Sequence, residues 1–206
     1  MIFATLLWDA NKNSLPFSRM YDESWVEKLY RGVMRNTTKD VTFICFVDRL
    51  RTFKEGGINQ MLLSAGEKDY GHCIEPYVLG LPMILVGLDT IITGNIDALY
   101  DYCCDHKNRI AVPRDPFNKR QVCNGVALVP PGWSHVGIDH NGKENDMEWI
   151  RRFNPNVLDD LFPGQVASYK GHVKAAGLGN ERIVYFHGEE KPHQLSHLSW
   201  VTENWR

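Results

Sequence analysis

The 206-residue chain balances 23 Lys and Arg against 25 Asp and Glu, so it lacks the electrostatic footprint of a dedicated nucleic-acid binder. A hydrophobic fraction of 43% with 23% charged residues excludes a disordered chain. The length predicts one domain, residues 1–206, able to bury a core without metal or disulfide support.

The segments alternate between apolar runs and helical periodicity, which points to an α/β layer fold. Ile2 to Leu7 predicts a first strand, broken by a loop from Trp8 to Asn13. Trp25, Val26, Leu29, Tyr30, Val33 and Met34 then recur at three- and four-residue spacing, a helix with Asp22 as N-cap and an end at Asn36 to Thr38. Val41 to Val47 is a second strand ending at Asp48. Strand, helix and strand in this order open a parallel sheet whose strand ends carry ligand sites. Gly56 to Leu63 reads as a short helix, and Met83 to Leu88 as a buried strand that stops at Asp89. A helical turn follows over Asn95 to Tyr102, then strands over Arg109 to Val112 and Val122 to Val129. Asp146 to Phe153 predicts a helix and Arg182 to Phe186 a last strand, before a polar, His-rich tail with Trp200 and Trp205.

Cys45, Cys73, Cys103, Cys104 and Cys123 form an odd set without a C-x-x-C pair. Reduced thiols, and with them a cytoplasmic compartment, are the expectation. The N-terminus shows no basic stretch leading into an apolar one, so no signal peptide is expected. No apolar run approaches the ~20 residues that cross a bilayer.

Chemistry concentrates in two segments. In Leu85 to Asp97, a buried strand delivers Asp89 to its carboxyl end, and Thr93-Gly94-Asn95 is a turn signal. Asp89 there can ligate Mg²⁺ or Mn²⁺, which take oxygen ligands, or it can cap the next turn; the spacing does not choose. In Arg182 to Pro192, an apolar strand runs into His187-Gly188 and then Lys191-Pro192. Imidazole suits a metal and an ammonium suits a diphosphate. A lone His is equally a satisfied structural residue.

Together these segments resemble the nucleotide-sugar glycosyltransferases related to glycogenin and the lipopolysaccharide galactosyltransferases. The family's Asp-x-Asp places its second Asp on Asp89 and its following turn on Thr93 to Asp97, but its first Asp falls on Gly87. Residues 87 and 89 share a strand face, so one of two expected carboxylates is missing. The spacing of His187 directly before Gly188 resembles a bacterial and phage-type branch. The resemblance implies a GT-A (Rossmann-like) fold: a mixed, mostly parallel sheet flanked by helices. It also implies transfer of a sugar from a UDP-sugar to an unidentified acceptor, with retention. Mn²⁺ or Mg²⁺ would sit at Asp89 and His187, with Gly188 and Lys191 at the diphosphate. The reading requires the tip of the central strand to meet the closing His-Gly loop.

Further segments resemble the same group. Asn124-Gly125-Val126 is similar to the stretch that meets the sugar, though a simple turn would read the same. Asp146 matches an Asp near sugar and acceptor, and also reads as a helix N-cap. Asn124, Asp146 and Lys191 are the candidate catalytic residues. Lys170, in Ser168-Tyr169-Lys170, can face phosphates or solvent. Trp8, Asp9 and Asp48 stand where such enzymes hold the base and ribose, with core packing or turn capping as the alternative. Lys28 and Arg114 are further phosphate candidates. The acceptor is a glycan or, in a phage-type reading, a modified DNA base. A third reading, motivated by Gly87, is a domain that binds a nucleotide-sugar without turnover.

Overall fold

The computed structural model describes residues 1–206, the side chain of Phe17 excepted. Six consecutive buried residues make β1 (Ile2–Leu7) a strand covered on both faces. A loop and the single turn α1 (Leu15–Ser18) lead to α2 (Glu23–Arg35), where Asp22 caps as expected by accepting the Ser24 N–H at 3.0 Å. The apolar stripe of α2 buries Trp25, Val26, Leu29 and Val33 against the sheet. Next, β2 (Thr42–Val47) pairs parallel with β1 along its length.

The segment expected as a short helix over Gly56 to Leu63 is instead the edge strand β3 (Ile58–Leu62), parallel to β2. So short a helix would close few internal hydrogen bonds, whereas the ladder with β2 supplies partners along five registered pairs. A long 3-10 segment (Tyr70–Leu79), with no signal in the apolar pattern, crosses one face of the sheet and buries Ile74 and Tyr77. It leads to β4 (Met83–Val86), parallel to β1 on its other side.

After β4 the chain leaves the main sheet. Gly87 N–H donates to the Gly125 carbonyl at 3.2 Å, and β5 (Thr90–Ile92) begins a second sheet. α3 (Asp97–Cys104) follows. Asp97 accepts from the hydroxyls of Thr37 and Thr38 at 2.7 and 2.6 Å, and these bonds hold its carboxyl well below the usual range. The turn after Asp89 is thus latched to the end of α2.

β6 (Ala111–Val112) is shorter than the strand expected there, and β7 (Val126–Val129) runs antiparallel to both β4 and β6. α4 (Ser134–Ile138) and α5 (Asp146–Arg151) pack on the same face as the 3-10 segment, through Val136, Trp149 and Ile150. β8 (Asn156–Val157) closes the sheet, ordered β3-β2-β1-β4-β7-β6-β8. The turn α6 (Leu158–Leu161) precedes β9 (Val166–Ser168), a π-helical turn and α7 (Lys174–Ala176). β10 (Ile183–Tyr185) pairs antiparallel with β5 and parallel with β9, completing the second sheet. The chain ends in α8 (Ser199–Asn204), and no helix among the described residues is long and apolar enough to cross a membrane.

Alternate residues of the central strands feed two cores. Phe3, Leu7, Phe43, Val47, Ile84 and Val86 pack with α2 and the second sheet; Ile2, Ala4, Leu6, Ile44, Met83 and Leu85 pack toward the 3-10 segment, α4 and α5. The result is the expected mixed, mostly parallel sheet flanked by helices.

An ion cluster fixes the carboxyl ends of β1 and β2. Arg51, whose side chain is 2% exposed, donates to Asp48 at 2.7 Å, Asp9 at 2.9 Å and Glu23 at 3.1 Å. Asp48 also accepts the Asp9 N–H at 3.0 Å. Replacing Arg51 by Met strips a buried cation from three carboxylates. With the three carboxylates partly exposed, the expected loss is about 3 kcal/mol of stability, read as a lower urea midpoint at unchanged m-value.

Candidate active site

A cavity of about 530 Å³ opens at the carboxyl ends of β1 and β4. Trp8, the Val86 to Asp89 segment and Lys191 form its floor, Tyr185 to Gly188 one wall, Asn124 and Asp146 another, and Pro116 and Phe117 its lip. This is the position at which open α/β sheets present strand ends to ligands.

At the floor, Lys191 Nζ donates directly to Asp89 Oδ2. The tip of the central strand and the closing loop therefore meet. Both residues are buried, Lys191 at 3% and Asp89 at 8% exposure. Tyr21 Oη donates to the same Asp89 oxygen at 2.9 Å. Burial, and then the neighbouring Asp89 charge, push the Tyr21 phenol far up, so it remains a donor. Lys191 is set by its own backbone, whose N–H donates to Gln194 Oε1 at 2.9 Å. An ammonium has three donors. Among the described residues Asp89 is the hydrogen-bond partner of Lys191 Nζ, and the Tyr21 ring centroid lies 5.6 Å away.

His187 sits on the wall with Nε2 2.7 Å from Ser168 Oγ, which also accepts the Gly171 N–H at 3.0 Å. Burial first, then the Lys170 charge, lower the His187 pKa, so the ring is neutral at pH 7. Phe117 packs edge-on against it at 5.4 Å, and Gly188 turns the chain with φ +75°, a left-handed conformation suited to glycine.

Opposite, Asn124 Nδ2 donates to Asp146 Oδ2 at 3.0 Å. Asn124 Oδ1 is buried and has no partner among the described residues. Burial raises the Asp146 carboxyl, against the opposing bond from Asn124. The expected N-cap role of Asp146 belongs instead to Asn145, whose side chain accepts the Glu148 N–H at 2.9 Å. Asp146 is thereby the first residue of α5, free to face the cavity. Gly125 is forced by packing: a Cβ there would lie 2.5 Å from the Tyr185 ring.

The cavity thus gathers Trp8, Asp89, Asn124, Asp146, His187, Gly188 and Lys191. Other sequence candidates lie outside its lining. Asp9 and Asp48 belong to the Arg51 cluster, with Arg49 also on Asp9 at 2.9 Å. Lys28 stacks over the Trp205 ring at 3.7 Å, and Arg114 pairs with Asp160 at 2.8 Å. Lys170 is exposed at the lip, 5.7 Å from the Phe117 ring. Tyr21 and Phe117 are not legible as site residues in sequence, because each is defined by a partner distant along the chain.

The Mn²⁺ or Mg²⁺ site implied at Asp89 and His187 finds little to hold it. Hard divalent cations take several oxygen ligands. Position 87 offers no carboxylate, and a Cβ built there would meet Asp89 Oδ1 at 3.0 Å, so the missing group would have faced Asp89. Asp89 is already engaged by an ammonium and a phenol. Among the described residues no group of three His, Cys, Asp or Glu is placed to hold a metal. This donor set does not fit a divalent cation.

Solved structures share this architecture. A galactosyltransferase, LgtC, in complex with donor and acceptor sugar analogs superposes with TM-score 0.60 at 12% identity, over 98% of this chain and 94% of that one. The fold is that of the GT-A glycosyltransferases. The glycosyltransferase GlyE of Streptococcus pneumoniae matches with TM-score 0.61 at 13% identity, and the bifunctional WbbM with 0.61 at 8%. This chain covers 98% of its own length in both, but 62% of GlyE and 50% of WbbM. No family model and no curated protein matches the sequence.

The raised carboxyl of Asp146 carries a sign. An acid whose folded pKa lies above its unfolded value weakens the fold as pH rises through that interval. Asp146→Asn keeps the Asn124 bond and removes the buried charge. The variant is expected to melt higher than the parent at pH 7, with the gap closing as pH falls toward about 4, the ordinary carboxylate range. Thermal melts of both proteins across that range check it; a constant gap at all pH values contradicts it.

Proposed function

We propose that the cavity binds a nucleotide-sugar, with UDP as the nucleotide, and transfers its sugar to a hydroxyl of an acceptor. The observation that carries this reading is the buried Lys191 ammonium at the carboxyl end of β4, beside His187 and opposite the Asn124–Asp146 pair. A buried cation facing a cavity is a site for a negatively charged ligand group. The Trp8 ring at the floor offers a surface for the base. Asp9 and Asp48, held by Arg51, leave this role to Trp8.

Lys191 meets the diphosphate. Ser168 Oγ accepts from Gly171 and can donate its O–H to His187 Nε2. That places the ring proton on Nδ1, where it can bond a phosphate oxygen. Asn124 Oδ1 accepts from a sugar hydroxyl, and Asp146 orients sugar and acceptor. In the transfer step the bond from the anomeric carbon to the diphosphate oxygen breaks, and its electron pair stays on that oxygen. The acceptor oxygen bonds the anomeric carbon, and its proton leaves with the nucleoside diphosphate. Donors aimed at the departing oxygen lower this barrier, because they meet charge where it develops. The resemblance favours retention at the anomeric carbon, which NMR of the product anomer tests directly; an inverted product overturns that part.

Gly87 favours one second reading, binding without turnover. Both are tested by a thermal-shift panel of nucleotide-sugars followed by donor hydrolysis. At least one UDP-sugar is expected to raise the melting temperature and to be slowly hydrolysed. Lys191→Met is expected to cut hydrolysis by about 100-fold or more. A shift without hydrolysis supports the binding module, and no shift with any nucleotide-sugar overturns both.

A further inference from the structure

Asp89 and Lys191 lie 102 positions apart in sequence, yet the fold buries them against one another at the cavity floor. A buried ion pair is weak evidence for stability, since apolar residues of similar volume serve as well or better. Its place at the mouth of a strand end points to a ligand instead. Two N–H groups of Lys191 remain without a protein acceptor among the described residues, in a position with 3% exposure. Buried charged donors require partners. The carboxylate that would complete an Asp-x-Asp pair is replaced by Gly87, although the space in front of it meets Asp89 Oδ1 and nothing else within 4 Å. A divalent cation approaching Asp89 would face the ammonium at close range, and like charges in a dry site repel strongly.

We infer that Lys191 is the resident cation of this site, and that the cavity binds a nucleoside diphosphate without Mn²⁺ or Mg²⁺. The inference rests on the nucleotide-sugar reading above and deepens it. Asp89 is then a positioning residue: it and Tyr21 fix the ammonium, whose free N–H groups point to phosphate oxygens. His187, held by Ser168 and lining the same cavity, offers its other ring nitrogen as a further donor. Charge on the departing diphosphate is met by protein groups held in place before the ligand arrives.

The test uses the full chain and two titrations. Calorimetry measures UDP binding, with GDP, ADP and CDP in parallel, once in EDTA and once in MnCl₂. Electron paramagnetic resonance measures Mn²⁺ alone against the protein. The expected result is a UDP dissociation constant that differs by less than about threefold between the two buffers. The free six-line Mn²⁺ signal stays undiminished by the protein. Lys191→Met is expected to weaken UDP binding by about tenfold or more in EDTA. Since that variant leaves Asp89 unpaired, Asp89→Asn with Lys191→Met provides a neutral, near-isosteric floor, and circular dichroism checks the fold of both. UDP that binds the parent protein only with Mn²⁺, or Mn²⁺ taken up by the parent and released by Asp89→Asn, overturns the inference and leaves the nucleotide reading standing. Equal UDP binding by parent and a folded Lys191→Met in EDTA also overturns it. Failure of every nucleoside diphosphate in both buffers overturns the nucleotide reading, and the inference with it.

Discussion

The contact between Asp89 and Lys191 is the constraint on which the site depends. Asp89 lies in the short passage from the main sheet, which the chain leaves at Val86, to the second sheet, which it enters at Thr90. Lys191 follows the last strand of that second sheet. The antiparallel register sets Tyr185 opposite Thr90, one residue from Asp89, so the ladder delivers both chain segments to one place. Burying a carboxylate or an ammonium alone is costly. Neither segment can therefore rest at the cavity floor without the other. The fold is stitched at the point where its ligand would bind.

Apart from α2, legible through its one-sided apolar stripe, the elements clearest in sequence are strands with an apolar run buried on both faces. β1, β2, β4, β7 and β10 are such runs, and each appears as a strand. β3 does not read as a strand in sequence because its residues are mostly exposed at an edge, and pairing with β2 decides its state. The 3-10 segment carries Pro76 inside it and follows neither a two-residue nor a 3.6-residue period. Motif order was a better guide to the site than local chemistry. Asp89, Asn124, Asp146, His187 and Lys191 converge although spread over about half the chain. Asp48, at the end of its strand just as Asp89 is, reads the same way in sequence. Arg51, three residues on, claims it, and nothing in the spacing distinguishes a free carboxylate from a claimed one. Tyr21 carries no signal at all until its partner is seen, and Ser168 stands in a segment noted only for Lys170.

The departure from the family pattern at Gly87 is best weighed together with Lys191, once charge is counted. Two carboxylates facing one divalent cation form a neutral set. One carboxylate facing one ammonium forms a neutral set as well, and Gly87, Asp89 and Lys191 are that set. Read singly, Gly87 is a lost ligand and argues for a decayed site. Read with Lys191, it removes the carboxylate that a single ammonium could not neutralise, and which burial would otherwise have forced to hold a proton. The exchange also has a chemical consequence. A metal presents several coordination positions to phosphate oxygens, whereas an ammonium already bonded to Asp89 presents two N–H groups. Under the proposed reading, recognition of a diphosphate would then be shared with other donors. His187, held by Ser168, lines the same cavity, and the exposed Lys170 outside the lining is close enough to help lower its pKa. A site of this kind draws its affinity from hydrogen-bond donors fixed by the fold, so its specificity follows from how rigidly β4, β5 and β10 hold their ends.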